Sequence, residues 1–432
     1  MQSIWEDAPM PRFPALERDI CTDTLVIGGG LCGLLCAHVL TQAGADCVTV
    51  EAGSVCSGVT GRSTAKITSQ HGLCYHTIAN RFGLAAAKQY LQAQEAAVRE
   101  LSRLCAQTDC DYERRSLSIY SLRSRAEAAQ EAAILAKLGR PAVFSETAPL
   151  PFPVAGVVTV ENQAQFHPRK FAAAIAAPLR IYERTKVRAL VGTTAVTDGG
   201  SINARNIIVA THFPFLNKHG LYPLKLYQHR SYVLALKGAP QPDGMYVDAA
   251  SSGLSFRGAG ELLLLGGGGH RTGKSGGNWA ALRNFAARCA PHAEEVCHWA
   301  TQDCMSLDGL PYIGRYSART EGLYVATGFS KWGMSSSMAA ATLLRDLLLG
   351  RQTPAARLFD PSRSLLHPQL AVNAWESALG LLNPSGRRCP HLGCALKWNA
   401  AEHSWDCACH GSRFGEDGRL LNGPATDGCR KL

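Results

Sequence analysis

Thr24-Leu-Val-Ile-Gly28-Gly-Gly30-Leu-Cys-Gly33 begins the stretch that decides the fold, and Cys47-Val-Thr-Val-Glu51 closes it. Residues 24–27 form a largely apolar, β-branched run suited to a buried parallel strand. Gly28, Gly30 and Gly33 follow in the spacing G-x-G-x-x-G. The first permits the tight turn out of the strand, the second lets a pyrophosphate approach the backbone, and the third lets the next helix sit close to the sheet. A helix is expected over 31–43, stopped at Gly44, with its amide end and dipole turned to the phosphates. The strand over 47–50 then delivers Glu51, whose carboxylate can bond an unphosphorylated ribose. Strand, glycines, helix, strand and acid in this order predict a dinucleotide site, with FAD and NAD both open at this point.

The chain has 432 residues, enough for two or three domains with sizeable cores, and its 46% hydrophobic and 18% charged composition is that of a globular protein. Residues 1–20 carry four acids and three prolines in place of the apolar core of a signal peptide. No run reaches the roughly 18 apolar residues of a membrane span. The expectation is therefore a cytoplasmic protein with no membrane partner. The net charge of +10 is spread over scattered Lys and Arg, which predicts a solvated basic surface and no nucleic-acid partner. Sixteen cysteines without a secretory leader point to some metal ligands among ordinary buried thiols.

Further along, residues 56–68 form a loop rich in Gly, Ser and Thr whose hydroxyls and Arg62 suit phosphate. Helical spacing recurs over 84–106 and 126–138, predicting two helices of an inserted substrate domain. Pro168 can start a helix over 169–176, followed by strands over 180–182 and 187–190. Residues 207–211 read as another buried strand of the nucleotide sheet. Residues 221–299, with strands over 231–236 and 262–265, read as a mixed substrate domain. Asp308-Gly-Leu-Pro-Tyr-Ile-Gly314 and residues 322–333 then lead through a glycine turn into a helix over 335–349. A positive helix end there would stabilise negative charge on a reduced flavin ring.

These motifs resemble the FAD-dependent oxidoreductases of the D-amino-acid oxidase and glycine oxidase type over about residues 3–350. The resemblance implies FAD. It places Gly28, Gly30, Gly33 and Glu51 at the ADP half, and Thr60, Gly61, Arg62, Ser63 and Thr64 at the pyrophosphate and ring. Val187 would meet the adenine through its backbone, and Gly328, Lys331, Trp332 and Gly333 would border the flavin. The arginine and tyrosine that hold a carboxylate in the amino-acid oxidases have no counterpart, so the amino-acid substrate does not carry over. His71, His270 and Trp332 are the candidates to meet a substrate above the flavin. The competing reading is a satisfied structural role for the histidines and packing for the tryptophan.

Residues 352–382, with Pro354, Pro361 and Pro368, read as a linker wrapped on the surface. Beyond it stand Cys389-Pro-His391-Leu-Gly-Cys394 and Cys407-Ala-Cys409-His410-Gly-Ser-Arg-Phe414, then Gly423-Pro-Ala425. Two Cys and two His in paired loops can bind one metal centre. Tetrahedral zinc would accept that set, and the additional cysteines favour iron–sulfur. The tail resembles a Rieske [2Fe-2S] domain, which implies Cys389, His391, Cys407 and His410 as ligands and a Cys394–Cys409 disulfide. Ala408 and Pro390 depart from the usual loop residues.

Together the two parts resemble bacterial FAD-dependent oxidoreductases carrying a C-terminal Rieske domain. The expected fold class is α/β: a Rossmann-like FAD-binding domain interleaved with a mixed-sheet α+β substrate domain over 1–351, a linker over 352–382, and a small all-β Rieske domain over 383–432. FAD and a [2Fe-2S] cluster are the implied cofactors. A small-molecule substrate and a redox protein are the implied partners, with electrons passing between flavin and cluster. The alternative is a flavoprotein oxidase in which the cluster is a structural element or a redox sensor.

Overall fold

The computed structural model describes residues 2–217, 219–384 and 386–429. Its first sheet is built around the strand Ile20–Ile27, which lies between Gly200–Val209 and Cys47–Val50 and pairs in parallel with both, Leu25 opposite Ile207 and Ile27 opposite Val50. Leu323–Thr327 and Ile181–Tyr182 extend the sheet outward. Leu25, Val26 and Ile27 are all buried, as a parallel strand covered on both faces requires. The helix Leu31–Gln42 and the late helix Gly333–Leu348 pack side by side against this sheet.

The second sheet has nine strands and is mixed, as expected for the substrate domain. It is assembled from distant parts of the chain. Met245–Asp248 runs parallel to Glu113–Ser121, with Val247 opposite Ile119, and Lys66–Ile67 joins the far edge through Gly156–Gln165. The expected strand over 231–236 is the centre of a longer one, Leu226–Lys237, flanked by Leu262–Arg271 and Glu294–Ser306. The helices Leu84–Ala106 and Arg125–Lys137 lie where apolar spacing put them. Among the described residues no helix is long and apolar enough to cross a membrane.

The third sheet is antiparallel: Leu396–Asn399, Ser404–Cys407, Arg413–Gly415 and Leu420–Asn422. Its small core is made largely of cysteine, with Cys389, Cys394, Cys407 and Cys409 packed around Leu396 and Phe414.

The stretch read as a linker carries regular structure: a short helix, Ala356–Phe359, and a longer one, Pro368–Leu382. The longer helix starts on Pro368 in its first turn, and the amide of Gln369 donates to Nδ1 of His367 at 3.1 Å. The prolines read as helix breakers therefore include a helix starter. The apolar residues that would have signalled the helix face outward, not into a core.

Candidate functional site

The glycine turn is built to steric tolerance. The Gly28 amide donates to the Val50 carbonyl at 2.8 Å. A Cβ on Gly28, at φ +117°, would lie 2.6 Å from the Ala210 carbonyl oxygen, and one on Gly33 would lie 1.8 Å from that of Gly28. Strand, turn and helix can meet this closely only without side chains. The helix Leu31–Gln42 has no side-chain cap at Gly30; Thr60, from the 59–64 segment, accepts the Leu31 amide at 3.0 Å. Oε2 of Glu51 accepts the Gly29 amide at 2.7 Å and Oε1 that of Gly53 at 2.8 Å. Burial raises the pKa of this carboxyl, against the pull of those amides.

These groups border a cavity of about 1060 Å³. Of the residues expected at the cofactor, Gly28, Gly30, Glu51, Thr60, Arg62, Ser63, Thr64, Val187, Lys331, Trp332 and Gly333 line it. Gly33 and Gly61 stand behind the wall: Gly33 against Gly28, and Gly61 with its carbonyl accepting from the Ser3 hydroxyl at 2.5 Å. Gly328 shapes the turn before the late helix at φ +72°. The 59–64 segment is clamped from outside. Nε1 of Trp5 donates to the Ser63 carbonyl at 2.8 Å and Nε1 of Trp299 to that of Arg62 at 2.9 Å. The buried guanidinium of Arg257 donates to the carbonyls of Thr64 and Ala65. The cavity thus offers a helix amide end, a fixed acid and a hydroxyl-rich loop, a set that fits the ADP half of FAD.

At the other end the uncapped helix Gly333–Leu348 points its first turn, Gly333 and Met334, into the cavity wall. His71 also lines the cavity and stacks on Trp332 at 5.1 Å with 12° between the rings. Its Nδ1 is 2.6 Å from the Tyr90 hydroxyl, and its Nε2 is 2.9 Å from both the Thr68 carbonyl and the Ser335 hydroxyl. Burial holds its pKa down at about 3. Both nitrogens of this neutral ring are therefore committed to the protein. His270 stacks on Tyr232 at 5.8 Å, with Nδ1 3.2 Å from the Gly268 carbonyl, and its neighbour Gly269, not His270 itself, is in the cavity wall.

Two polar residues absent from the sequence-based candidates, Lys66 and Asp303, line the cavity, and a third, His229, is paired with Asp303 across the sheet. Lys66 lines the cavity and donates from Nζ to the Thr64 hydroxyl at 2.8 Å; burial, and then the Arg257 charge, lower its pKa to about 7. Asp303 also lines the cavity. Burial pushes its pKa up and that of Lys331 down, while their opposite charges act against both shifts. His229, opposite Asp303 in the sheet, has a buried Nδ1 without a hydrogen-bond partner. Nothing in strand periodicity separates these side chains from ordinary solvent-facing ones. Only the closure of the sheet over the cavity does.

In the tail, two tight loops present the metal-type residues. The Gly393 amide returns to the Cys389 carbonyl and the Gly411 amide to that of Cys407, each at 2.9 Å. Cys389, Cys407 and His410 are buried. The imidazoles of His391 and His410 meet edge to face at 4.9 Å, and the Nδ1 of each is buried with no partner. Two orphaned imidazole nitrogens beside two buried thiols are the donor set of a two-iron centre with a histidine pair on one iron. The Cys394–Cys409 disulfide is not formed: both residues are free thiols, with their sulfurs and that of Cys407 within 4.8 Å of one another. Contact with Cys407, with burial, pushes the Cys394 thiol up to about 12. Arg271 of the mixed sheet ties the second loop down, donating to the carbonyls of Ala408 and Cys409.

The histidine side of this centre faces the cavity domain. Phe213, which lines the cavity, places its ring 6.4 Å from His391 and 6.2 Å from His410, edge to face with both. Gln228 donates to the His410 and Gly423 carbonyls at 2.9 Å, and Gln302 to that of Gly411 at 2.8 Å. A buried ion network fastens the two parts: Arg230 of the mixed sheet pairs with Glu402, and Arg413 with Glu402 and Asp406. Residues 420–426 of the tail form part of the cavity wall itself.

Residues 23–347 match the family model for FAD dependent oxidoreductase, and residues 370–432 that for the Rieske [2Fe-2S] domain. The chain belongs to the FAD dependent oxidoreductase family. YhfW of Bacillus subtilis (strain 168), whose name marks it as a Rieske 2Fe-2S iron-sulfur protein, is 32% identical over 98% of this chain and 96% of its own length. In fold, this FAD dependent oxidoreductase is similar to glycine oxidase from Geobacillus kaustophilus (TM-score 0.65, 21% identity, 80% of this chain and 99% of the other). It is similar likewise to L-proline dehydrogenase from P. horikoshii (TM-score 0.67, 17% identity, 81% and 98%). As a flavoenzyme with a Rieske tail it uses FAD and a [2Fe-2S] cluster.

Proposed function

We propose that the enzyme converts a small organic substrate in the cavity and that electrons pass within the chain between FAD and the Rieske cluster. The observation that carries this reading is Phe213, a single ring shared by the cavity wall and the two histidines of the cluster loops. FAD supplies hydride chemistry and can exchange electrons singly with a one-electron centre. On this reading Gly28, Gly30, Gly33, Glu51 and Val187 hold the ADP half, and Thr60, Gly61, Arg62, Ser63 and Thr64 border the pyrophosphate. Gly328, Lys331, Trp332 and Gly333 border the flavin, and Cys389, His391, Cys407 and His410 are the iron ligands. Lys66, Lys331 and Asp303 orient the substrate, while His71 holds Trp332 in place by stacking. The lack of any disulfide among the described cysteines favours a reducing compartment, the cytoplasm.

The test is anaerobic rapid mixing with substrate or dithionite, followed by absorbance and low-temperature EPR. Cluster reduction should trail flavin reduction at a rate compatible with turnover. A cluster that stays oxidised while the flavin cycles would sink the transfer reading. The buried Arg230–Glu402–Arg413 network supports a second reading, the tail as a structural element. In that case His391→Ala keeps oxygen-dependent turnover and loses only stability.

A further inference from the structure

The helix Pro368–Leu382 covers the cysteine side of the cluster and leaves its own apolar face open. Gly380 lies so close that a Cβ there would stand 2.5 Å from Sγ of Cys409 and 3.6 Å from Sγ of Cys394. The Cys409 thiol donates to the Glu376 carbonyl at 3.7 Å, and the Ala395 amide to the Gly380 carbonyl at 2.8 Å. On the outward face Val372, Trp375, Leu379 and Leu382 recur at intervals of three, four and three, a continuous helical stripe. Trp375 is 64% exposed and Leu382 79%. Asn373 is the helix's one buried residue; it accepts from Arg271 and donates to the Leu224 carbonyl. The helix is thus seated by a polar contact while a tryptophan and aliphatic side chains face water, which is the opposite of what burial of apolar area favours.

Glu376, the helix's only acid, is taken by Lys274 at 2.6 Å. Beyond the helix end come Arg387 and Arg388, and among the described residues neither forms an ion pair: Arg387 donates to the Glu416 carbonyl, and Arg388 to carbonyls that include Gly393. The histidine side packs on the cavity domain, with His410 buried and His391 half-buried against Phe213 and Asn217. On the cysteine side this helix is the outward surface that an external protein meets close to the cluster loops.

We propose that the stripe Val372, Trp375, Leu379 and Leu382 receives a small acidic one-electron carrier protein, its acidic rim set against Arg387 and Arg388, which exchanges electrons with the cluster from the Cys409 side. This rests on the intrachain transfer proposed above. One two-electron conversion in the cavity is balanced by two carriers, each gaining or losing one electron, with no atoms transferred to them. A second copy of this chain is the competing occupant, but it would put cluster against cluster and supply no terminal acceptor.

The probe is an acidic plant-type [2Fe-2S] ferredoxin, measured for binding to the intact holoenzyme by calorimetry at low and high salt. Binding should weaken as salt screens the rim, and Trp375→Glu should weaken it by at least about tenfold, as loss of a central aromatic anchor does. Trp375→Phe should restore it, and the flavin-to-cluster exchange rate within Trp375→Glu should stay at the wild-type value. Absence of binding to the wild type, or equal binding to Trp375→Glu, overturns the proposal. So does a wild-type dimer in light scattering that Trp375→Glu dissociates, which would assign the face to a second copy. Loss of flavin-to-cluster exchange in the wild type would instead count against the intrachain reading, and the binding result stays legible beside it.

Discussion

Nε2 of His391 donates to Oδ1 of Asn217 at 2.9 Å, across 174 positions of sequence. With its proton held on Nε2 by a residue of the cavity domain, the imidazole turns a bare Nδ1 inward, and that nitrogen is buried and unpartnered. The tautomer a metal needs is thus set by a different domain from the one that supplies the loop.

Asn217→Ala should therefore weaken the cluster without touching the flavin site. Loss of such a supporting hydrogen bond typically costs about tenfold or more in metal affinity. Iron release to a chelator, followed by loss of cluster absorbance, should accelerate accordingly while FAD content stays at one per chain. Unchanged release would show that Asn217 does not position the ring.

Gly33→Ala should block flavin binding. Its Cβ would stand 1.8 Å from the Gly28 carbonyl oxygen, inside any van der Waals contact, so the helix must move away from the phosphate turn. The purified variant should lack the flavin absorption bands yet keep the EPR signal of the tail. A variant with full flavin content would contradict the role assigned to this close approach.

Removing the charge of Glu402 should unseat the tail. Arg230 and Arg413 are both buried and both pair with it. Glu402→Gln would leave guanidinium charge uncompensated, a loss of roughly 3–5 kcal/mol. The melting temperature should fall by several degrees. Adding Arg230→Met should recover part of the loss, because the stranded charge is removed along with its partner.

Acid should destabilise the fold through buried histidines. Burial holds the pKa of His71 and of His229 at about 3, against an ordinary value of 6.5. Below pH 6.5 the unfolded chain takes up protons that the folded chain refuses. Stability is therefore full above that pH and is lost toward pH 3, at up to about 1.4 kcal/mol per pH unit for each group. Denaturant midpoints should fall between pH 7 and pH 5, and His229→Gln should flatten the slope by one proton. A slope that this change leaves untouched would remove His229 from the account.

The sequence makes the local devices legible. Gly28, Gly30, Gly33 and Glu51 sit within one strand–helix–strand unit, and Cys389, His391, Cys407 and His410 within two short loops, so their spacing already reports their geometry. His71 and His270 could not be told apart in this way. One is in the cavity wall with both nitrogens bonded, and the other stacks on Tyr232 outside it; the difference arises in a sheet whose strands come from 66–67 through 294–306. Lys66 and Asp303 were missed for the same reason, since a polar residue on a strand shows its meaning only when a second layer closes over it. The helix Pro368–Leu382 was read as linker because Pro354, Pro361 and Pro368 were weighed as breakers, although Pro368 stands in the first turn and apolar residues at helical spacing follow it.

By itself the sequence determined the family, the two cofactors and the cluster loops, because each depends on residues near one another along the chain, where spacing and turn chemistry dictate position. Only the tertiary structure decided which way the cluster faces. Phe213, Asn217, Gln228 and Arg230 are ordinary residues in sequence, and they become the interface because long-range strand pairing carries them to the tail. The contacts that join the two halves are between residues more than 100 positions apart, 109 for Gln302 and Gly411 and 195 for Gln228 and Gly423. No local rule spans that distance; packing does.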